Sequence, residues 1–146
     1  MSLSRSYQTD SVKEQNGIRI KMAPNDDGSI PTFVISRSSR ANPKYLAAAA
    51  RIMGPYKTLA AKGAIPTATF AKLQRQIFIE GALISWENIL KSDVSGNSES
   101  DGFADYNETN AETLFERLPE LYFELSEKSA DLSNYLAEAL EADAKN

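Results

Sequence analysis

Apolar positions change their period twice along this chain. Residues 1–16 are polar and predict a frayed, flexible tail. From Gly17 to Ala23, Ile18, Ile20 and Met22 alternate with Arg19 and Lys21, the period of a half-buried strand. PNDDGSIP follows, dense in turn formers, and TFVISR from Thr32 to Arg37 supplies a second β-rich run. The two runs predict a β-hairpin over residues 17–37, which needs helices or another copy of the chain to lean on.

From Asn42 the texture becomes helical. Asn42 suits an N-cap, Pro43 suits the first helical position, and Ala47 to Ala50 propagate the helix. Gly54-Pro55 predicts a kink, after which the helix resumes to Lys62 and stops at Gly63. A longer helix is expected from about Pro66 to Leu90. Its second half places Ile77, Phe78, Ile79, Leu83, Ile84, Trp86, Ile89 and Leu90 on more than one face and is the expected core.

Ser92 to Asn107 reads as a polar, acidic loop. Thr109-Asn110-Ala111-Glu112 then matches a capping box. Leu114, Leu118, Leu121, Leu125, Leu132, Leu136 and Ala139 form a helical stripe, with a boundary at Pro119. Glu116, Glu120, Glu127 and Glu141 lie opposite it. The expected fold is mostly α: a single helical domain over residues 17–146 with a short N-terminal β-hairpin.

The 146 residues fit one domain with one modest core. Neither cysteine nor histidine is present, which excludes disulfides, thiolate nucleophiles, histidine-based triads and most zinc, haem and iron–sulfur sites. No apolar run approaches the roughly 20 residues of a membrane span, and the N-terminus has no apolar signal core. The chain is therefore expected in the cytoplasm of the cell that makes it. Its net charge of −4 hides a polarity: residues 1–75 carry 12 Lys or Arg against 4 Asp or Glu, and residues 76–146 carry 4 against 16. Such a chain can fold its halves together, stack head to tail as a homo-oligomer, or present an acidic face to a basic partner. Its basic residues lack the interleaved aromatics of a nucleic-acid site, and its most amphipathic segment is acidic rather than membrane-seeking.

Candidate chemistry is sparse. Asn97, Glu99, Asp101, Gly102, Asp105 and Glu108 fall in the register of a calcium loop, but Asn opens it and Ala104 stands at the usual branched apolar position. Glu80 and Glu87, seven residues apart on the expected core helix, lack the histidines of a di-metal bundle and are expected to pair with Arg51, Lys72 or Arg75. No phosphate-binding glycine loop is present. No catalytic residue, metal or cofactor is expected. Phe123 lies among Glu116, Glu120 and Glu127, as a binding hot spot would, or else fills a groove against the hairpin.

The order of FVISRSSRANPKYLAAAARIMGPYKTLAAKG, then ALISWENIL with its Asp-Gly loop, then YNETNAETLFERLPELYFELSEKSADLSNYLAEALEADAKN resembles the tail assembly chaperones of long-tailed bacteriophages, over roughly residues 31–146. The resemblance implies a non-enzymatic protein that binds the tape measure protein, keeps it soluble and helps recruit the major tail protein. A chaperone for long amphipathic helices needs an apolar surface rimmed by charge, and Leu114, Phe115, Glu120, Leu121, Tyr122, Phe123 and Glu127 are the residues expected to provide it. The alternatives are a structural tail-completion or connector protein that stays in the virion, and a calcium-responsive helical adaptor.

Overall fold

A computed structural model describes residues 2–137. The alternation in the first third does form strands. β1 (Ile18–Lys21) and β2 (Thr32–Ile35) pair antiparallel, with Ile18 opposite Ile35 and Ile20 opposite Phe33. In the connecting turn, Asp27 accepts from the Ser29 amide and hydroxyl, which holds its carboxyl below the ordinary range.

The segment before the hairpin is more ordered in secondary structure than a frayed tail. It holds two short helices, α1 (Leu3–Tyr7) and α2 (Ser11–Asn16), the second capped by Asp10. Glu14 is buried, pairs with Arg37 and accepts the Thr9 hydroxyl. Thr9 forms an antiparallel bridge with Leu136, so this segment lies against the other end of the described chain.

The Asn42–Pro43 start is as expected. α3 (Pro43–Met53) is capped by the Asn42 side chain accepting from the Lys44 amide. Gly54-Pro55 then tightens the chain into a single 3-10 turn over Gly54–Tyr56 before α4 (Lys57–Ala61). The run ends where Gly63 adopts a left-handed φ of 64°.

The long helix expected from Pro66 to Leu90 is not one element. α5 (Thr67–Gly81) stops at Gly81, and Leu83–Glu87 becomes β3, hydrogen-bonded to β2 with Phe33 opposite Trp86. A continuous apolar run fits a buried helix and a buried strand equally well. The free edge of β2 decides it, because its backbone groups need partners. The sheet is thus three-stranded, in the order β1-β2-β3.

The acidic stretch begins with a short helix, α6 (Lys91–Ser95), and then folds back on the sheet. The Trp86 indole N–H donates to the Ala104 carbonyl at 2.9 Å, and the Tyr106 hydroxyl donates to Leu83 at 2.9 Å. α7 (Glu108–Arg117) and α8 (Pro119–Ala130) follow, separated at Leu118–Pro119 as predicted. The capping box does not form. Asn107 caps α7 by accepting from the Asn110 amide at 2.7 Å, while Glu112 turns to Arg75. The helical stripe expected to run on through Leu132 and Leu136 stops at Ala130: Leu132–Tyr135 is a 3-10 turn opened by Asp131, and Leu136 is extended in its bridge to Thr9. Ala139, Glu141 and the other residues after 137 lie outside the described residues. The core joins one sheet face to α5, α7 and α8 through Phe33, Ile35, Phe78, Leu83, Trp86, Leu114, Phe115 and Leu125.

Candidate functional site

The predicted partner-binding residues sit on α7 and α8, and packing divides them into three groups. Phe115, Leu114 and Tyr122 are core residues, 0%, 1% and 8% exposed. Their rings interlock with Phe78 of α5: Phe78–Phe115 centroids are 6.0 Å apart, Phe78–Tyr122 5.6 Å and Phe115–Tyr122 5.7 Å. Burial also pushes the Tyr122 phenol above its ordinary pKa. These three side chains hold the site up from behind and do not face a partner.

Leu121 forms the second group. With Met22, Pro31, Phe33, Ile89, Asp93, Leu114 and Leu118 it lines an open hollow of about 150 Å³ between the hairpin and the α7–α8 corner. The alternation of Met22 marked the inner face of the hairpin, but nothing in the sequence said that α8 would lie beside it.

Glu120, Phe123 and Glu127 form the third. Three- and four-residue steps put them on one side of α8. Phe123 is 56% exposed, its ring resting on Tyr122 at 5.5 Å, so it does not fill a groove against the hairpin. Glu116, Glu120 and Glu127 are exposed and take part in no ion pair among the described residues. Glu124 pairs with Lys128 one turn on, at 3.5 Å. The result is a half-exposed aromatic ring rimmed by unpaired carboxylates. Leu121 lies on the other side of α8 from Phe123, since two residues advance a helix by about 200°. The hollow and the acidic face are therefore separate surfaces.

Other candidates resolve into structural pairs. Glu80, on α5, pairs with Arg51, whereas Glu87 is on β3 and pairs with Arg19 at 2.7 Å. The Arg19 hydrogen bond and charge hold the Glu87 carboxyl below its ordinary range. Arg75 pairs with Glu112 at 2.9 Å. Arg51, Glu80 and Glu112 line an open cleft of about 470 Å³ between α3, α5 and α7, whose lining mixes both signs of charge. The calcium register does not converge: Asn97 and Asp101 bond to nearby backbone amides, and Glu108 begins α7. Among the described residues no group of three or more acidic side chains is placed to hold a metal ion.

Phe103 was missed. It is 43% exposed in the acidic loop, fastened by an antiparallel bridge to Leu90. An aromatic residue between Asp101 and Asp105 was the available signal.

The sequence pattern that defines the YdaY prophage protein family matches residues 40–146, from the start of α3 through the acidic face. The chain belongs to this family. It is accordingly a phage-derived protein, and the matched region contains α5, β3, α7 and α8, which carry most of the core. No curated protein and no solved structure matches the chain. No helix among the described residues is long and apolar enough to cross a membrane.

Proposed function

We propose that this chain is a tail assembly chaperone: it binds the tape measure protein in the host cytoplasm, keeps it soluble and helps recruit the major tail protein, without catalysing a reaction. The observation that carries this is Phe123, more than half exposed on α8 with Glu120 and Glu127 on the same side and in no ion pair among the described residues. An aromatic anchor in a carboxylate rim suits a helix that offers an apolar stripe flanked by Lys and Arg. A tape measure protein is long and helical, so weak contacts repeated along it add up, and each lets go as the tail tube replaces the chaperone. The contact with the buried Tyr122 ring restricts Phe123 from one side, which lowers the ordering cost of binding. Membership in a prophage family and the resemblance to tail assembly chaperones favour the same role.

The experiment is a tagged pull-down from cells producing the tail genes, with purified particles probed for the same chain. Recovery of a very long helical protein together with a tail-tube subunit, and absence of the chain from particles, is the expected result. Recovery only with mature virion components would make it a structural tail protein instead. Phe123→Glu and the pair Glu120→Lys/Glu127→Lys should each reduce client recovery at least about tenfold, the usual scale for a lost hot spot.

A further inference from the structure

A second surface, opposite in charge to the α8 face, is built on other elements. Residues 28–79 contain eight Lys or Arg and no Asp or Glu. Within them, no residue from Ala49 to Lys72 is buried, so the end of α3, the 3-10 turn, α4 and the start of α5 form an arm outside the core. Its base is tied to the body: Ala48 and Leu73 are buried, Arg51 pairs with Glu80, and Arg75 pairs with Glu112. Beyond those pairs, Lys57, Lys62 and Lys72 are exposed and make no ion pair among the described residues.

The end of α4 has a fixed shape. The Gly63 amide donates to the Ala60 carbonyl at 3.1 Å and the Ala64 amide reaches back to Leu59 at 2.8 Å, with Gly63 in its left-handed conformation. This closure satisfies the last carbonyls of α4 and holds Lys57, Leu59 and Lys62 on ordered backbone. Leu59 is 41% exposed and Phe70, at the start of α5, 45%. Ala60, Ala61 and Ala64, next to Leu59 in the chain, are exposed as well.

Exposed apolar groups among unpaired cations define a partner by its chemistry. The cations call for carboxylates or phosphates, and the apolar side chains decide between them. A phosphate backbone is held through cations and hydrogen-bond donors and gains nothing from Leu59. A lone leucine among alanines buries too little to hold a lipid surface, whereas its small neighbours let another helix come close. We propose that the arm docks an acidic amphipathic helix of another protein. The apolar stripe of that helix covers Leu59 and Phe70, and its flanking Asp or Glu side chains pair with Lys57, Lys62 and Lys72. This partner is the reverse in charge of the one proposed for Phe123, so the inference holds whether or not the α8 face binds a client.

Fluorescence anisotropy with two labelled peptides of about 20 residues, long enough to form helix, tests it on the purified full chain. The peptides share one helical stripe of leucines and carry either Glu or Gln on its flanks. The Glu peptide should bind at least about tenfold more tightly than the Gln peptide, and added salt should weaken it. Lys57→Glu/Lys62→Glu should lower that affinity at least about tenfold. So should Leu59→Ser/Phe70→Ser, which keeps every charge. Lys21→Glu/Lys91→Glu makes the same change in net charge off the arm and should stay within about threefold of the wild type. All six positions are exposed, and circular dichroism confirms that each variant is folded. Equal binding of the two peptides, or wild-type binding by Leu59→Ser/Phe70→Ser, would overturn the proposal. So would tighter binding of single-stranded polyuridylate or of phosphatidylglycerol vesicles than of the Glu peptide. An oligomer of the wild type that the arm variants dissociate in sedimentation would overturn it too, because a second copy would then occupy the arm.

Discussion

Arg37 Nη1 lies 3.0 Å from Glu14 Oε2, with the two side chains only 18% and 10% exposed. The Arg37 amide also donates to the Glu14 carbonyl at 3.0 Å, so α2 is fastened to the end of β2 by backbone and side chain together. Among the described residues Arg37 Nε is buried without a hydrogen-bond partner, which makes the guanidinium depend all the more on the Glu14 carboxylate. Glu14→Ala should therefore cost roughly 3 kcal/mol, because it strands a charge away from water. Urea unfolding of the variant measures this. A loss below about 1 kcal/mol, the scale of an exposed pair, would mean that α2 does not dock in solution.

Tyr135 makes stability depend on alkaline pH. Its side chain is fully enclosed, and burial pushes the phenol from 10.0 up to about 12. Below pH 10 the phenol is neutral whether the chain is folded or not, and its contribution is fully present. Between pH 10 and about 12 the unfolded chain loses the proton while the folded chain keeps it, so stability falls by about 1.4 kcal/mol per pH unit. Tyr135→Phe keeps the ring and gives up the hydroxyl's hydrogen bonds to the Ile35 carbonyl at 3.5 Å and to the Ser129 side chain. Urea midpoints from about pH 9 to about pH 11 should fall less steeply in the variant. A residual slope is expected from Tyr106 and Tyr122, whose phenols burial also raises.

These relationships show where reading the residues in order succeeds. The hairpin, the Asn42–Pro43 start and the Leu118–Pro119 break are decided by neighbours in sequence, and each appears where its local chemistry puts it. β3 is decided by the unpaired edge of β2, some fifty residues earlier in the chain, so its apolar run passed for helix. The docking of α2 rests on an ion pair 23 residues apart in the chain, a spacing with no periodic trace. At the candidate site, spacing against the carboxylates did mark Phe123. Leu114, Phe115 and Tyr122 went to the core because Phe78 of α5 fixes which arc of α7 and α8 is covered, and no pattern within those helices records that.

Gly81 marks the close approach of α5 to α3. A Cβ there would lie 2.9 Å from the Tyr45 Cα and 3.3 Å from the Ala48 Cβ. In an open helix, Gly→Ala stabilises by up to about 1 kcal/mol. Here the contact is with backbone and cannot be relieved by a rotamer change, so Gly81→Ala should destabilise by about 1–3 kcal/mol. The sign of the change in urea midpoint is the test, and a stabilised variant would show that α3 and α5 pack further apart.

Phe115 and Phe123, both predicted to bind the partner, should part company when each is truncated. Phe115 is 0% exposed and touches both Phe78 and Tyr122, so Phe115→Ala opens a cavity beneath the α7–α8 corner and should cost about 3–5 kcal/mol. Phe123 is 56% exposed and meets Tyr122 in a tilted ring contact, so Phe123→Ala should cost less than about 1 kcal/mol. Client recovery should show the reverse relation once stability is allowed for. Phe123→Ala stays folded yet loses the client, whereas any loss in Phe115→Ala follows its unfolded fraction and returns when the protein is stabilised by cooling or osmolyte. Paired urea melts and pull-downs on the two variants measure both quantities. Full client recovery by Phe123→Ala would move the binding face elsewhere, and the hollow beside Leu121 would be the next surface to mutate.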